Sequence, residues 1–316
     1  MTGLAAHTLI THSGSFHADD LLAFVLLRTL QPEAGLLRTR DAARIEAADA
    51  GTVVFDVGMA YAPEGLRYDH HQPSRARRPE GLAYSAFGLV WRHHGQAYVA
   101  RVLGLDPAAD APRIGAIHAR LDATLVRDID AVDNGELQPD QTALMHPLSL
   151  PNLLMAFRPA FDDDAPGAQD QAFLRAASVA DPLLRAQVES TDAALRARTI
   201  VEDAIATRAD PRWIELPRKL DYLETILALG SRHDADRIRF VVAPAPGEWQ
   251  LNTVNRTLDG FAARQDLPAA WAGLRGEALA AATGVPDATF CHAKRFIAIA
   301  QSRHGALALL EQALAA

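Results

Sequence analysis

The sequence predicts an α/β protein, with a mostly parallel sheet flanked by helices in its N-terminal part and a smaller α+β domain after it. Three observations predict this. Short apolar or β-branched runs alternate with helix-like runs from Thr8 to about Asn134, the pattern of successive βαβ units. A Pro- and Asp-rich stretch, "QPDQTALMHPLSLPNLLMAFRPAFDDDAPG", then interrupts the regular pattern. Beyond it, strand-like runs return around a Pro-Gly turn in "RIRFVVAPAPGEWQLNTV".

The elements follow in order. "HTLIT" reads as a strand ending at His12, "DDLLAFVLLRTL" as a helix, "LLRTR" as a short strand, "DAARIEAADA" as helical, and "TVVFDVG" as a buried strand delivering Asp56. "SAFGLVWRHHG" is expected to be a helix stopped at Gly95, with His93 and His94 suited to the dipole at its end. In "RIGAIHARLDATLVRDIDAVDNG", Ile114, Ile117, Leu121, Leu125 and Ile129 recur at helical spacing, which predicts one helix ending at Gly135. The domain boundary is placed at 145/146, with a connector over 139–167. A helical region to about Ala206, a strand at "RWIEL", the hairpin above and a final helix from about Gly305 complete the chain.

Composition narrows the function classes. The 316 residues hold 31 Lys plus Arg against 39 Asp plus Glu, a net charge of −8, which argues against a large nonspecific nucleic-acid surface while allowing a local basic groove. The single cysteine, Cys291, excludes an internal disulfide framework and fits a reducing compartment. "MTGLAAHTLITHSGS" has neither a basic segment nor a long apolar one, and "LLAFVLL" is far below the ~18 residues of a membrane span. The expected location is cytoplasmic, with no membrane partner.

Four clusters carry chemistry: "THSGSFHADD" at 11–20, "FDVGMAY" around Asp56, "YDHHQ" at 68–72 and "RDIDAVDNG" at 127–135. Ligands of α/β sheets collect at the carboxyl ends of the strands, so His12 and Asp56 are expected to meet at one sheet edge. A mixed imidazole and carboxylate set suits Mn²⁺, Mg²⁺, Fe or Zn²⁺ rather than Ca²⁺, and the histidine content tilts it toward Mn²⁺. Structural alternatives exist for each position. Asp19 and Asp20 suit the first turn of a helix, Asp56 a turn, and Asp133-Asn134-Gly135 a helix C-terminus. The pair His70-His71 after Asp69 has no such local explanation.

These motifs, in this order, resemble the DHH superfamily of metal-dependent phosphoesterases. Within it, "THSGSFHADD", "DVGMAYAPEGLRYDHHQ", "SAFGLVW", "IDAVDNG" and "LPAAWAGLRGEALAAATGVPDATFCHAKRFIA" look like the melanocyte-proliferating-gene (Myg) family, described as metal-dependent hydrolases and 3′–5′ RNA exonucleases. The resemblance implies a DHH-type catalytic domain and two Mn²⁺ or Mg²⁺ ions. It implies His12, His17 and Asp19 as the first ligands, with a histidine where the superfamily usually has an aspartate. Asp56 then bridges both ions, His70 is a further ligand, and His71 touches substrate or orients a neighbour. The last ligand is Asp130 or Asp133, with Asp130 favoured because it lies within the helical run. Asp56, His70 and His71 form the implied catalytic set, with His71 on the substrate; His292, Lys294 and Arg295 in "FCHAKRF", and more weakly Arg264, are candidates to bind substrate phosphate, because a cationic cluster beside small residues can approach it closely, a solvated surface being the alternative.

The expected activity is a divalent-metal-dependent phosphodiesterase acting on RNA or short oligonucleotides by two-metal hydrolysis. Trp249 and Trp271 are possible base-stacking platforms, with core or surface packing the favoured reading of both. A pyrophosphate or small nucleotide phosphodiester substrate and a non-catalytic metal-binding regulatory role are the alternatives. Homo-oligomerisation is left open.

Overall fold

The structure, a computed structural model, describes residues 4–316; the first three residues of the N-terminal stretch read above for a targeting segment lie outside it. The chain forms two compact units, 1–192 and 193–316. In the first, the strands are β1 (Thr8–Thr11), β2 (Gly35–Arg38), β3 (Thr52–Phe55), β4 (Tyr61–Ala62) and β5 (Arg67–Tyr68), and the spatial order is β2-β1-β3-β5-β4. β1 pairs in parallel with β2 and β3, β3 in parallel with β5, and only β4 runs antiparallel. The apolar run Thr52–Phe55 is buried throughout, as a central strand covered on both faces requires.

The helices of this unit are α1 (Ala18–Leu30), α2 (Ala42–Glu46), α3 (Ala86–Leu103), α4 (Ala111–Leu121), α5 (Arg127–Asp133) and α6 (Leu150–Met155), followed by the 40-residue α7 (Ala168–Thr207). α1 is apolar nearly all round and packs against α3. The first part of α7 adds Phe173, whose ring stands 5.6 Å from Phe16 and 5.2 Å from Phe24.

Four sequence expectations change. The division of units falls at 192/193, inside α7, and not at 145/146. The stretch 139–167 is no free connector: it holds a 3₁₀ segment (Pro139–Met145) and α6, which packs on α1, while Arg158 donates to the Phe16 carbonyl at 2.7 Å. The predicted helix over 114–133 is there, but five residues, Asp122–Val126, form a π-helical turn between α4 and α5. Such a turn rotates the helical phase, so Asp130 and Asp133 do not continue the face set by Ile114 and Ile117.

Fourth, α3 does not stop at Gly95 but runs to Leu103, ending at Gly104 with φ 63°. His93 and His94 are therefore mid-helix, and their partners are tyrosines rather than a helix end. Gly95 is required by contact: a Cβ there would come within 2.7 Å of the His118 ring, which stacks on Trp91 at 5.1 Å.

The Tyr68 hydroxyl and His94 Nε2 share a hydrogen bond at 2.7 Å. Burial, aided by the neighbouring His93, pushes the His94 pKa down to about 4. The folded protein thus keeps His94 neutral while the unfolded chain takes up a proton below about 6.5. Stability from this site is complete above pH 6.5 and is lost as pH falls from 6.5 toward 4, by at most about 3 kcal/mol. Urea unfolding of His94→Gln at pH 7 and pH 5 checks it; the variant should lose much of that acid sensitivity, and an unchanged pH dependence would assign it elsewhere.

The second unit carries β6 (Trp213–Glu215), β7 (Phe240–Ala245), β8 (Glu248–Thr253), β9 (Ala288–Cys291) and β10 (Ile297–Ala300), in the order β6-β7-β8-β10-β9. All pairings are antiparallel except β6 with β7. The helices are α8 (Leu223–Leu229), α9 (Gly276–Thr283) and α10 (Arg303–Ala315), and α10 packs on the sheet through Ala306, Leu309, Leu310 and Ala313. This is the smaller α+β domain that the sequence predicted. Trp271 is 3% exposed and Trp249 packs against the same core, so neither is a stacking platform.

Candidate metal centre

β1, β3 and β5 are parallel neighbours that end together, with Ile10 beside Val54 and Phe55 beside Tyr68. The residues that leave the sheet at this edge are His12, Asp56 and the run Asp69-His70-His71. The chain order β2-β1-β3 reverses here, which is where ligands settle in open α/β sheets. Asp56 has φ 54°, a left-handed conformation that aspartate adopts more readily than most residues, and it turns the chain while its carboxylate stays buried.

α1 brings the next group. The backbone N–H of His17 donates to Asp20 Oδ1 at 2.8 Å, which seats Asp20 inward under the first turn. Asp19 and Asp20 occupy the first turn of α1, as the dipole reading expects, and both are also fully buried. Asp133, at the end of α5, completes the set.

The distances show the convergence. His12 Nε2 lies 3.2 Å from Asp20 Oδ2 and 3.2 Å from Asp56 Oδ2. His70 Nε2 lies 3.1 Å from Asp56 Oδ1, 3.3 Å from Asp133 Oδ2 and 3.8 Å from Asp19 Oδ2. Three groups have donor atoms within 4.8 Å of one another: Asp56-His70-His71, His12-Asp20-Asp56, and His17-Asp19-Asp133. Asp56 belongs to two of them, one oxygen facing each histidine.

The electrostatics describe a site short of positive charge. Burial alone would lower the His12 pKa, but its hydrogen bonds to Asp20 and Asp56 raise it to about 10. Burial works against the Asp56 charge, yet His12 and His70 hold its carboxyl below the usual carboxylate range. Asp19 is pushed up by burial and by Asp133, Asp56 and Asp20 around it, and Asp20 is pushed up chiefly by burial. Asp19 Oδ1 is buried with no hydrogen-bond partner among the described residues. Buried carboxylates without guanidinium or ammonium partners either take protons or take cations. Hard carboxylate oxygens mixed with imidazoles fit divalent Mn or Mg.

Asn134 fixes the tautomer of His70. Its Nδ2 donates to the carbonyls of Ala83 at 3.1 Å and Asp130 at 2.9 Å, so its Oδ1 must face His70 Nδ1, 3.3 Å away. His70 therefore donates from Nδ1, and its Nε2 faces three carboxylates, either as a proton donor in the imidazolium or as a ligand once a cation is bound. Asn134→Ala should weaken Mn²⁺ binding by about tenfold to a hundredfold, measured by calorimetry on the folded protein; unchanged affinity would remove Asn134 from this role.

Asp69 positions the histidine pair. It accepts from the backbone of His70 at 2.7 Å, from that of His71 at 3.1 Å and from His71 Nδ1 at 2.7 Å.

The geometry divides the residues expected from sequence. It brings together His12, His17, Asp19, Asp56, His70, His71 and Asp133. Asp130 goes elsewhere: its carboxylate accepts from Ser85 N at 2.9 Å, Ser85 Oγ at 2.7 Å and Arg78 Nε at 2.7 Å. The preference for Asp130 over Asp133 is thus reversed, because the π-helical turn aims Asp130 at the N-terminus of α3. Gly88 serves the same contact, since a Cβ there would overlap the Asp130 carboxylate.

In the second unit, Arg264 donates to the carbonyls of Ala235 and Ile238 at 2.7 and 2.8 Å, and Arg295 to Asp266 at 2.7 Å and to the Leu267 carbonyl at 3.2 Å. Both arginines are taken up by structural contacts. His292 and Lys294 line a cleft of about 780 Å³ in that unit, beside Asn252, Phe261 and Phe296. Asp20, Asn134 and Arg75 were not singled out from sequence. Asp20 was legible as the second carboxylate of "HADD"; the other two are set only by tertiary contact.

A sheet edge that gathers buried imidazoles and carboxylates in this way fits one class, a hydrolytic enzyme. The family model MYG1_exonuc, described as "Uncharacterised protein family (UPF0160)", matches residues 8–314, and the chain belongs to this family. It is 33% identical to the MYG1 exonuclease of Bos taurus over 329 residues, covering 96% of this chain and 84% of that one. Against the MYG1 exonuclease of Homo sapiens the identity is 32% over 326 residues, covering 96% and 85%. Among solved structures, a pGpG-specific phosphodiesterase, PggH of Vibrio cholerae, aligns over 98% of this chain and 97% of that one at 14% identity and a TM-score of 0.30. RecJ of Thermus thermophilus in complex with Mn²⁺ aligns over 98% and 51%, at 16% identity and a TM-score of 0.27. Likenesses this distant add nothing to the family assignment. Among the described residues no helix is long and apolar enough to cross a membrane.

Proposed function

We propose that the protein is a Mn²⁺- or Mg²⁺-dependent phosphodiesterase that removes nucleotides from the ends of RNA or short oligonucleotides, with 3′–5′ polarity, using two ions per site. The observation that carries this reading is the Asp56 carboxylate, with Oδ1 3.1 Å from His70 and Oδ2 3.2 Å from His12, the disposition of a ligand shared between two adjacent ions. The relatives named as exonucleases support the substrate class.

His12, Asp20 and Asp56 would hold one ion, and Asp56, His70 and Asp133 with Asp19 and His17 the other. Bound divalent ions supply a water acidic enough to act as nucleophile and positive charge for the oxygens on phosphorus. The chain's own groups do the rest. Asp69 holds His71 by Nδ1 and would steady it as an imidazolium, whose Nε2–H would donate to a phosphate oxygen or the leaving oxygen. Burial of Asp19, Asp20 and Asp56 keeps competing water from the carboxylates. A small phosphoester or pyrophosphate is the second reading, favoured by the net charge of −8, which suits a compact ligand better than a long polyanion.

End-labelled single-stranded RNA, incubated with the protein and Mn²⁺ and resolved on a denaturing gel, tests the proposal. A ladder that chelator abolishes and that shortens from the 3′ end is expected. No cleavage by folded, Mn²⁺-loaded protein would overturn the RNA reading.

A further inference from the structure

We propose that the cavity above the metal centre is a two-part subsite for a nucleoside monophosphate unit, in which Arg75 holds the phosphate and the side chains of Met145, Pro151 and Met155 receive the base. This rests on the phosphodiesterase reading and assigns its substrate contacts. The cavity measures about 370 Å³, at the lower end for small-ligand sites and suited to one nucleotide rather than a long strand. One side is polar, with Asp19, Asp56, His70, His71 and Asp133; the other is apolar, with Met145, Pro151 and Met155.

Arg75 is the one Lys or Arg among the described residues lining this cavity. Its neighbours in "SRARRP" are committed: Arg77 pairs with Glu136 at 3.2 Å, and Arg78 with Asp122 and Asp130, both at 2.7 Å. Arg75 makes no such pair among the described residues. Its NH1 donates to Asn134 Oδ1 at 3.1 Å, the same oxygen that faces His70. The side chain is thereby held by a neutral group beside the histidine, with its remaining donors uncommitted. A guanidinium tethered by one donor can present others as a fork to two phosphate oxygens, which an ammonium cannot do.

The apolar wall is held in place rather than draped. Asn152 Nδ2 donates to the carbonyls of Met145 and His146, both at 3.0 Å, which ties the end of the 3₁₀ segment to α6. Met145 is 53% exposed and lines the cavity, so its thioether is accessible to a ligand there. Flexible, polarizable thioethers make an adaptable surface for flat rings, and a tolerant one across different bases. Pyrophosphate or free phosphate would gain nothing from such a wall.

Calorimetry on the Mn²⁺-loaded full chain with AMP, ribose 5-phosphate and inorganic phosphate tests this without turnover. AMP should bind about tenfold tighter than ribose 5-phosphate. Arg75→Ala should weaken all three by about tenfold, Arg75→Lys should restore only part of that, and Mn²⁺ affinity should be unchanged. Met145→Ala with Met155→Ala should abolish the AMP preference and leave ribose 5-phosphate binding as it was. Equal binding of AMP and ribose 5-phosphate, no effect of Arg75→Ala, or no binding of any of the three at millimolar concentration would overturn the subsite. The RNA reading is judged separately: RNA cleavage without AMP preference sinks the subsite alone, and AMP preference without RNA cleavage sinks the nuclease alone.

Discussion

Asp56→Asn should cost about a thousandfold or more in metal-dependent turnover while leaving the protein folded, since loss of the shared charge removes several kcal/mol of transition-state stabilisation. Asparagine is the informative replacement. The backbone at Asp56 sits at φ 54°, where Asn is tolerated and Ala is strained, so Asn separates chemistry from folding. The amide can face only one of the two histidines as an acceptor; the other meets its N–H₂. The Mn²⁺-induced rise in melting temperature should disappear together with activity. A variant that keeps both would show that Asp56 is not the shared ligand.

Arg78→Ala should produce the largest loss of stability of any single change considered, about 3–5 kcal/mol in urea unfolding. Arg78 is 5% exposed. Its Nε donates to Asp130 at 2.7 Å, its NH1 and NH2 to Asp122 at 2.7 and 3.0 Å, and its guanidinium lies 4.7 Å over the Tyr84 ring. It joins the loop after the histidine pair to the π-helical turn and to α5. Removing it leaves Asp130 buried without its cation. Burial already raises the Asp130 pKa to about 6 against the pull of Arg78 and Ser85. Without Arg78 the folded-state pKa rises further above the unfolded value of about 3.9, so the folded protein holds the proton to higher pH. The destabilisation should therefore be greater at pH 8 than at pH 5.5, where the proton replaces the lost cation. Equal losses at both would mean that Asp130 does not need a counter-ion. Turnover should fall as well, because Asp133 leaves the same short helix.

How much of this could be read from the chain depends on how local each cause is. The alternation of strands and helices placed β1, α1, β2 and β3 within a residue or two, because side-chain period and turn residues are local properties. The parallel sheet then implied that residues ending β1 and β3 would meet, and His12 and Asp56 do. The end of α3 was misplaced because Gly95 looks like a stop signal. Its actual role, making room for the His118 ring, depends on a helix more than twenty residues away. Asp130 and Asp133 were misordered for a similar reason: helical spacing assumes a constant turn, and Asp122–Val126 breaks it. Arg264 and Arg295 resembled free cations because a sequence does not disclose which backbone carbonyls will need donors.

By itself, then, the sequence determined the fold class, the strand edge at which the candidate ligands gather, and the residue types and order that mark the family, all of which follow from local periodicity and motif order. Only the tertiary structure decided that Asp133 and not Asp130 faces the centre, that Asp20 joins His12 and Asp56, that Asn134 sets the His70 tautomer, and which arginine is uncommitted. Those outcomes turn on distances of 3 Å between side chains far apart in the chain, fixed by packing and by the competition for hydrogen-bond partners in the folded interior.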